Sequence, residues 1–168
     1  NSFSSQDAQV EIAMAADFEL LSPTDKPALL AVSNPASLQA CRAALTDLSY
    51  KVHEAGNREE FQSRFGQIQY EVVIIEDVFG AGSLSENQAL RHLQTMPMNL
   101  RRHATTFLIG TAFHTLHPMQ AFHESVHAVV NQTDLASLPQ ILQKVVADTN
   151  LFLHVYREAQ LRLAQAKA

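Results

Sequence analysis

The stretch Tyr70-Glu71-Val72-Val73-Ile74-Ile75-Glu76 decides the fold. Four β-branched residues in a row fit a strand buried on both faces, as in a parallel sheet. A strand with one wet face would alternate apolar and polar residues instead. Working outward, the same kind of run recurs at Ala28–Val32 and at Thr105–Gly110, and a final strand is predicted over Val126–Val130. Tyr50–Glu54 alternates, as an edge strand does. Helical spacing lies between these runs. Leu38, Cys41, Leu45 and Leu48 recur at steps of three and four within Ser37–Leu48. Asn57 is a good N-cap for a helix over Arg58–Phe65. A third helix from about Asn87 to Met96 stops at Pro97, and a fourth covers Pro118–Ser125. Ser137–Ala166 reads as one long helix or two abutting ones. Five strand–helix repeats with continuous apolar strands predict an α/β, doubly wound parallel sheet with helices on both faces.

The bulk properties narrow the function. The chain has 168 residues, enough for one domain with length left over at the ends, and 46% of them are hydrophobic. A formal charge of −5 argues against a sequence-independent nucleic-acid binder, which needs a basic face. The single cysteine, Cys41, excludes an intrachain disulfide and fits a buried thiol in a reducing compartment. No run approaches the ~20 apolar residues of a membrane helix, and no signal peptide is visible. Asn1–Asp7 is polar, Val10–Leu21 has apolar residues without a clean period, and Ser22–Pro27 is turn-rich. The expected organisation is a linker over 1–26, a domain over 27–147 and a helical extension over 148–168.

Four points along the chain resemble the receiver domain of two-component response regulators. Tyr70–Glu76 is similar to the third strand, which in that family ends in the phosphoacceptor aspartate. Gly110-Thr111-Ala112 resembles the end of the fourth strand, with its Thr or Ser. Ala128-Val129-Val130-Asn131 resembles the end of the fifth, which carries a lysine. Val32-Ser33-Asn34-Pro35 stands where an acidic pair follows the first strand. The resemblance covers roughly Pro27 to Ala147 and implies a flavodoxin-like strand order 2-1-3-4-5. More narrowly, Leu90–Met98 with Arg101-Arg102 resembles a bacterial group of atypical receivers that follow an N-terminal zinc ribbon. That would make 1–26 the tail of a linker.

The departures from the pattern set the functional expectation. Phosphotransfer to a receiver needs an aspartate nucleophile and two carboxylates on Mg²⁺. Here Val32 and Ser33 replace the acidic pair, Glu76 holds the acceptor position, Asn131 replaces the lysine and Ala128 the switch aromatic. Only Thr111 remains. A slip of one residue would bring Asp77 to the acceptor position without restoring the Mg²⁺ carboxylates. Val32, Ser33, Glu76, Asp77, Thr111 and Asn131 are thus read as a degenerate phosphoacceptor pocket with no catalytic residue. Glu76 itself is read as a polar residue at a water-facing strand end in preference to a mimic of phosphoaspartate.

Two further features stand out. His123-Glu124-Ser125-Val126-His127 matches H-E-x-x-H, which on a helix would place both histidines on one face for Zn²⁺. The strand expected at His127 breaks that geometry, so a zinc hydrolase is the distant alternative. A weak adventitious site from His114, His117 and His123 is the milder one. At the C-terminus, Leu138, Leu142, Val145, Thr149, Phe152, Tyr156, Ala159 and Leu163 form a heptad-like stripe. The second half of this helix, with Phe152, Val155, Tyr156, Ala159 and Leu163, is expected to be an interaction helix for a protein partner or a homodimer, in preference to folding back on the N-terminal segment. The expectation is a cytoplasmic, non-catalytic signalling module without cofactor or metal, making no nucleic-acid or membrane contact. The alternative is an atypical phosphorylatable or ligand-sensing regulator.

Overall fold

The computed structural model describes residues 21–167. The readings of Asn1–Asp7 and of all but the last residue of Val10–Leu21 lie outside them. The strands are β1 (Lys26–Ala31), β2 (Tyr50–Glu54), β3 (Val72–Glu76), β4 (Thr105–Gly110) and β5 (Ala128–Asn131). The helices are α1 (Pro35–Asp47), α2 (Arg58–Gln67), α3 (Gln88–Thr95), α4 (Met98–Arg101), α5 (Pro118–His123) and α6 (Leu138–Ala166). The five strands form one sheet in the order β2-β1-β3-β4-β5, and every pairing is parallel.

The β3 run is buried throughout because its residues feed two cores in alternation. Val73 and Ile75 join Leu29, Leu108 and Val129 on the face covered by α2, α3 and α5. Val72 and Ile74 join Leu30, Phe107, Ile109 and Val130 on the face covered by α1 and α6. Side chains of consecutive strand residues point to opposite faces, so only a sheet sandwiched between helices can take four apolar residues in a row.

Several boundaries differ from the expected ones. β1 begins at Lys26, so the expected 26/27 division falls inside a strand; the turn before it is closed by Asp25 N donating to Ser22 O at 3.1 Å. α1 starts at Pro35, whose missing N–H costs nothing at the first helical position, with Asn34 as N-cap accepting from Ser37 N at 3.0 Å. α5 ends at His123 and β5 begins only at Ala128. Ser125 takes φ 56°, the left-handed region, and Val126 N closes back onto Ala121 O at 3.0 Å. That turn uses up the residues assigned to the helix end and the strand start. Asn57 caps α2 as expected, accepting from Glu60 N. α6 is a single helix of 29 residues.

Candidate functional site

Parallel strands gather their carboxyl ends at one edge of the sheet, and ligands of open α/β folds bind there. β1, β3, β4 and β5 bring Val32, Ser33, Glu76, Asp77, Thr111 and Asn131 to that edge.

Glu76 is the centre of it. The expectation of a water-facing carboxylate is overturned: Glu76 is only 7% exposed. Its Oε2 accepts from the backbone amides of Ser33 at 2.9 Å and Asn34 at 3.0 Å, in the turn between β1 and α1. The reason is local. Asn34 caps α1 with its side chain and Pro35 sets the helix's first φ, which leaves the Ser33 and Asn34 amides pointing at the end of β3. A buried carboxylate needs such donors, since an unpartnered buried charge costs several kcal/mol. Val32, buried at 5% exposure, packs with the α1-side core and offers no polar atom.

Asp77 points to the other side of the strand. Its Oδ1 accepts from Val78 N at 2.9 Å. Burial, and after it the neighbouring Glu76 charge, raise its pKa above the ordinary value. Its carboxylate lies over Gly110, where an added Cβ would sit 2.5 Å from Oδ2 and 2.8 Å from the Phe113 ring. A glycine at the end of β4 is what allows Asp77 this position.

Asn131 and Thr111 are tied by backbone. Asn131 Nδ2 donates to Phe113 O at 2.8 Å and to Thr111 O at 3.3 Å, and its Oδ1 accepts from Thr133 N and from the Thr133 hydroxyl. Asn131 holds together the loops after β4 and β5, and Thr111 itself is exposed.

Residues that the motif reading passed over complete the edge. Asn87 is 1% exposed; its Nδ2 donates to the carbonyls of Glu76 and Asp77 at 2.8 and 3.0 Å, and its Oδ1 caps α3 at Leu90 N. The only sign of it in the sequence is an Asn ahead of a helical pattern. Gln132 Nε2 reaches the buried Ser37 hydroxyl of α1 at 3.0 Å. On the opposite core face, His53 Nδ1 pairs with the buried Tyr70 hydroxyl at 2.8 Å.

The H-E-x-x-H spacing is not realised as a metal site. His123 ends α5 with its side chain in solvent, whereas His127 follows the Ser125 turn and accepts from Thr106 N through Nδ1 at 2.9 Å. Burial, then the Arg101 charge, lowers the His127 pKa. His114 and His117 stand with ring centroids 6.2 Å apart, and among the described residues no group of three His, Cys, Asp or Glu side chains is arranged to hold a metal.

At the other end of the sheet a second concavity opens. A groove of about 920 Å³ lies beside the start of β5, between α6 and the α4–α5 region. Along α6 the stripe is buried at Leu138 and Leu142, half-buried at Val145 and Thr149, and then open to solvent: Phe152 is 74% exposed and Leu163 64%, with Val155 beside it at 63%. Tyr156 accepts from Arg102 Nη1 at 2.7 Å, and the guanidinium lies over its ring at 4.7 Å. No helix among the described residues is long and apolar enough to cross a membrane.

No family model matches the sequence, and no curated protein does. Solved structures match its fold. A receiver domain protein from Methanospirillum hungatei is 11% identical at a TM-score of 0.59, over 76% of this chain and 98% of its own. The chemotaxis response regulator CheY4 of Vibrio cholerae is 13% identical at 0.59, over 73% and 99%. The receiver domain of the sensor histidine kinase PA1611 from Pseudomonas aeruginosa, solved with a magnesium ion in its active-site cleft, is 16% identical at 0.57, over 74% and 99%. Five parallel strands in the order 2-1-3-4-5, followed by a long C-terminal helix, give this chain the CheY-like fold that these receiver domains share.

Proposed function

We propose that this domain is a signalling module that works by protein contact and has left phosphoryl chemistry behind. The observation that carries the reading is the hydrogen bonding of Glu76. Its carboxylate is turned inward and held by two backbone amides of the β1–α1 turn. A phosphoacceptor must instead present its oxygen to solvent, in line with the incoming phosphorus, and Glu76 is only 7% exposed.

The donor set around it points the same way. A hard divalent cation wants about six oxygen ligands, several of them charged. Val32 brings none, the Ser33 amide is a donor aimed at Glu76, and the Asp77 carboxylate lies over Gly110. These residues do not fit the ion. At the lysine position, Asn131 spends its amide on two carbonyls, where it serves the loops and not a bound phosphoryl group.

The contact surface in this reading is the exposed second half of α6, around Phe152, Val155, Tyr156, Ala159 and Leu163. An apolar patch of this kind is seldom left wet.

Amide NMR spectra with Mg²⁺ and beryllofluoride, a phosphoryl analogue, test the reading. The expected result is no shift at Glu76, Thr111 or Asn131. Saturable shifts there would establish a working acceptor pocket in its place, through Glu76 or Asp77.

A further inference from the structure

The groove beside β5 has the size and lining of a seat for a helix. A helix about 10 Å across that rises 1.5 Å per residue fills roughly 120 Å³ per residue, so 920 Å³ takes about eight residues, or two turns. One wall is α6 itself, through Val145, Thr149, Phe152 and Tyr156, which are successive members of the heptad-like stripe. The other wall carries Met98 and Phe122, 61% and 79% exposed, together with Arg101.

We propose that a second copy of this chain fills the groove with the end of its own α6, the two helices running antiparallel about a twofold axis near His154. This rests on the reading of α6 as a contact surface and specifies its occupant. The segment that would enter, Tyr156–Leu163, is eight residues long. Its apolar side chains lie on two sides: Ala159 and Leu163 continue the stripe, and Leu161, 64% exposed, is about 200° around the helix from Leu163. A helix covered along one face has no use for that second side. A helix held between α6 and the Met98–Phe122 wall uses both.

Register and charge agree with this pairing. In the antiparallel arrangement Val145 meets the partner's Leu163, Thr149 the partner's Ala159, and Phe152 the partner's Tyr156. Asp148, which within one chain bonds Lys144 at 2.9 Å, then flanks the partner's Arg162, and symmetry makes that contact twice. A parallel pairing would set Arg162 beside the partner's Lys167 and leave Asp148 against the partner's Leu153.

Charge reversal tests the arrangement. The full chain and its Asp148→Arg, Arg162→Asp and doubly reversed variants are compared by sedimentation equilibrium. The wild type is expected to be a dimer, each single reversal to weaken it by about tenfold, and the double reversal to recover affinity to within about threefold. Weakening without recovery overturns the antiparallel register. Disulfide trapping gives an independent geometric readout. Thr149→Cys mixed with Ala159→Cys should form the heterodimer in preference to either homodimer, and the opposite preference means parallel helices. A chain that stays monomeric at high micromolar concentration overturns the proposal outright and assigns the groove to another occupant. None of these readouts depends on the beryllofluoride experiment, so the phosphorylation-independent reading stands or falls separately.

Discussion

Cys41 shows how one buried group couples to the site above it. It is fully buried in the α1-side core. Burial first, and the Glu76 charge second, push its thiol from an ordinary value near 9 up to about 12. The folded state therefore keeps the proton that the unfolded chain gives up above pH 9, and stability falls as pH rises from there. One group contributes at most about 1.4 kcal/mol per pH unit across that window. Urea titrations at several pH values between neutral and moderately alkaline should show a steeper loss for wild type than for Cys41→Ala. Equal slopes would mean the thiol is not held neutral. At this scale the residue types at the receiver-like positions were legible in the sequence. The direction of Glu76 was not, because its amide partners lie 42 and 43 positions away in the chain.

At the scale of elements, α3 is fastened to the site through its cap. Asn87 is at once the N-cap of α3 and the donor to the last two carbonyls of the β3 end. Asn87→Asp keeps the capping oxygen but replaces both donor bonds with a buried carboxylate facing carbonyls. Loss of buried hydrogen bonds together with this repulsion predicts a destabilisation of about 2–4 kcal/mol. Asn87→Ala, which loses cap and bridges but adds no charge, should cost about 1–3 kcal/mol. Chemical denaturation of both variants checks the order; an aspartate variant as stable as the wild type would mean that the bridge to β3 contributes nothing. Elements with a local signal matched the expectation closely: the β3 run, the Asn57 cap and the Pro97 stop. The α5–β5 junction did not. Val126 and His127 read as strand by composition, but the left-handed turn at Ser125 draws Val126 N back to Ala121 O, and His127 meets β4 at Thr106 alone, through its own N–H and its Nδ1, one residue before the strand begins. Nothing local to that pentapeptide announces either contact.

At the scale of the molecule, α6 is buried at its start and exposed along most of its second half. Its buried residues are Leu138, Ile141 and Leu142, all in the first two turns. A chain ending at Asn150 should therefore keep a cooperative unfolding transition. It gives up the Arg102–Tyr156 contact, worth about 1 kcal/mol at an exposed site. The same truncation should abolish self-association in a sedimentation experiment. A truncated chain that still pairs would place the contact surface elsewhere.

The layered architecture was already written in the residue order, because a strand of four β-branched residues has no stable place except between two apolar layers. Residue identity, which needs no coordinates, likewise put Glu76, Asn131 and the Val32-Ser33 pair on the page before any fold did. Folding was needed to turn Glu76 inward onto the Ser33 and Asn34 amides, to bring Asn87 to the strand end, and to open a groove beside the exposed part of α6. Each depends on groups distant in sequence meeting at one place, and hydrogen-bond geometry and concavity exist only after the chain has packed.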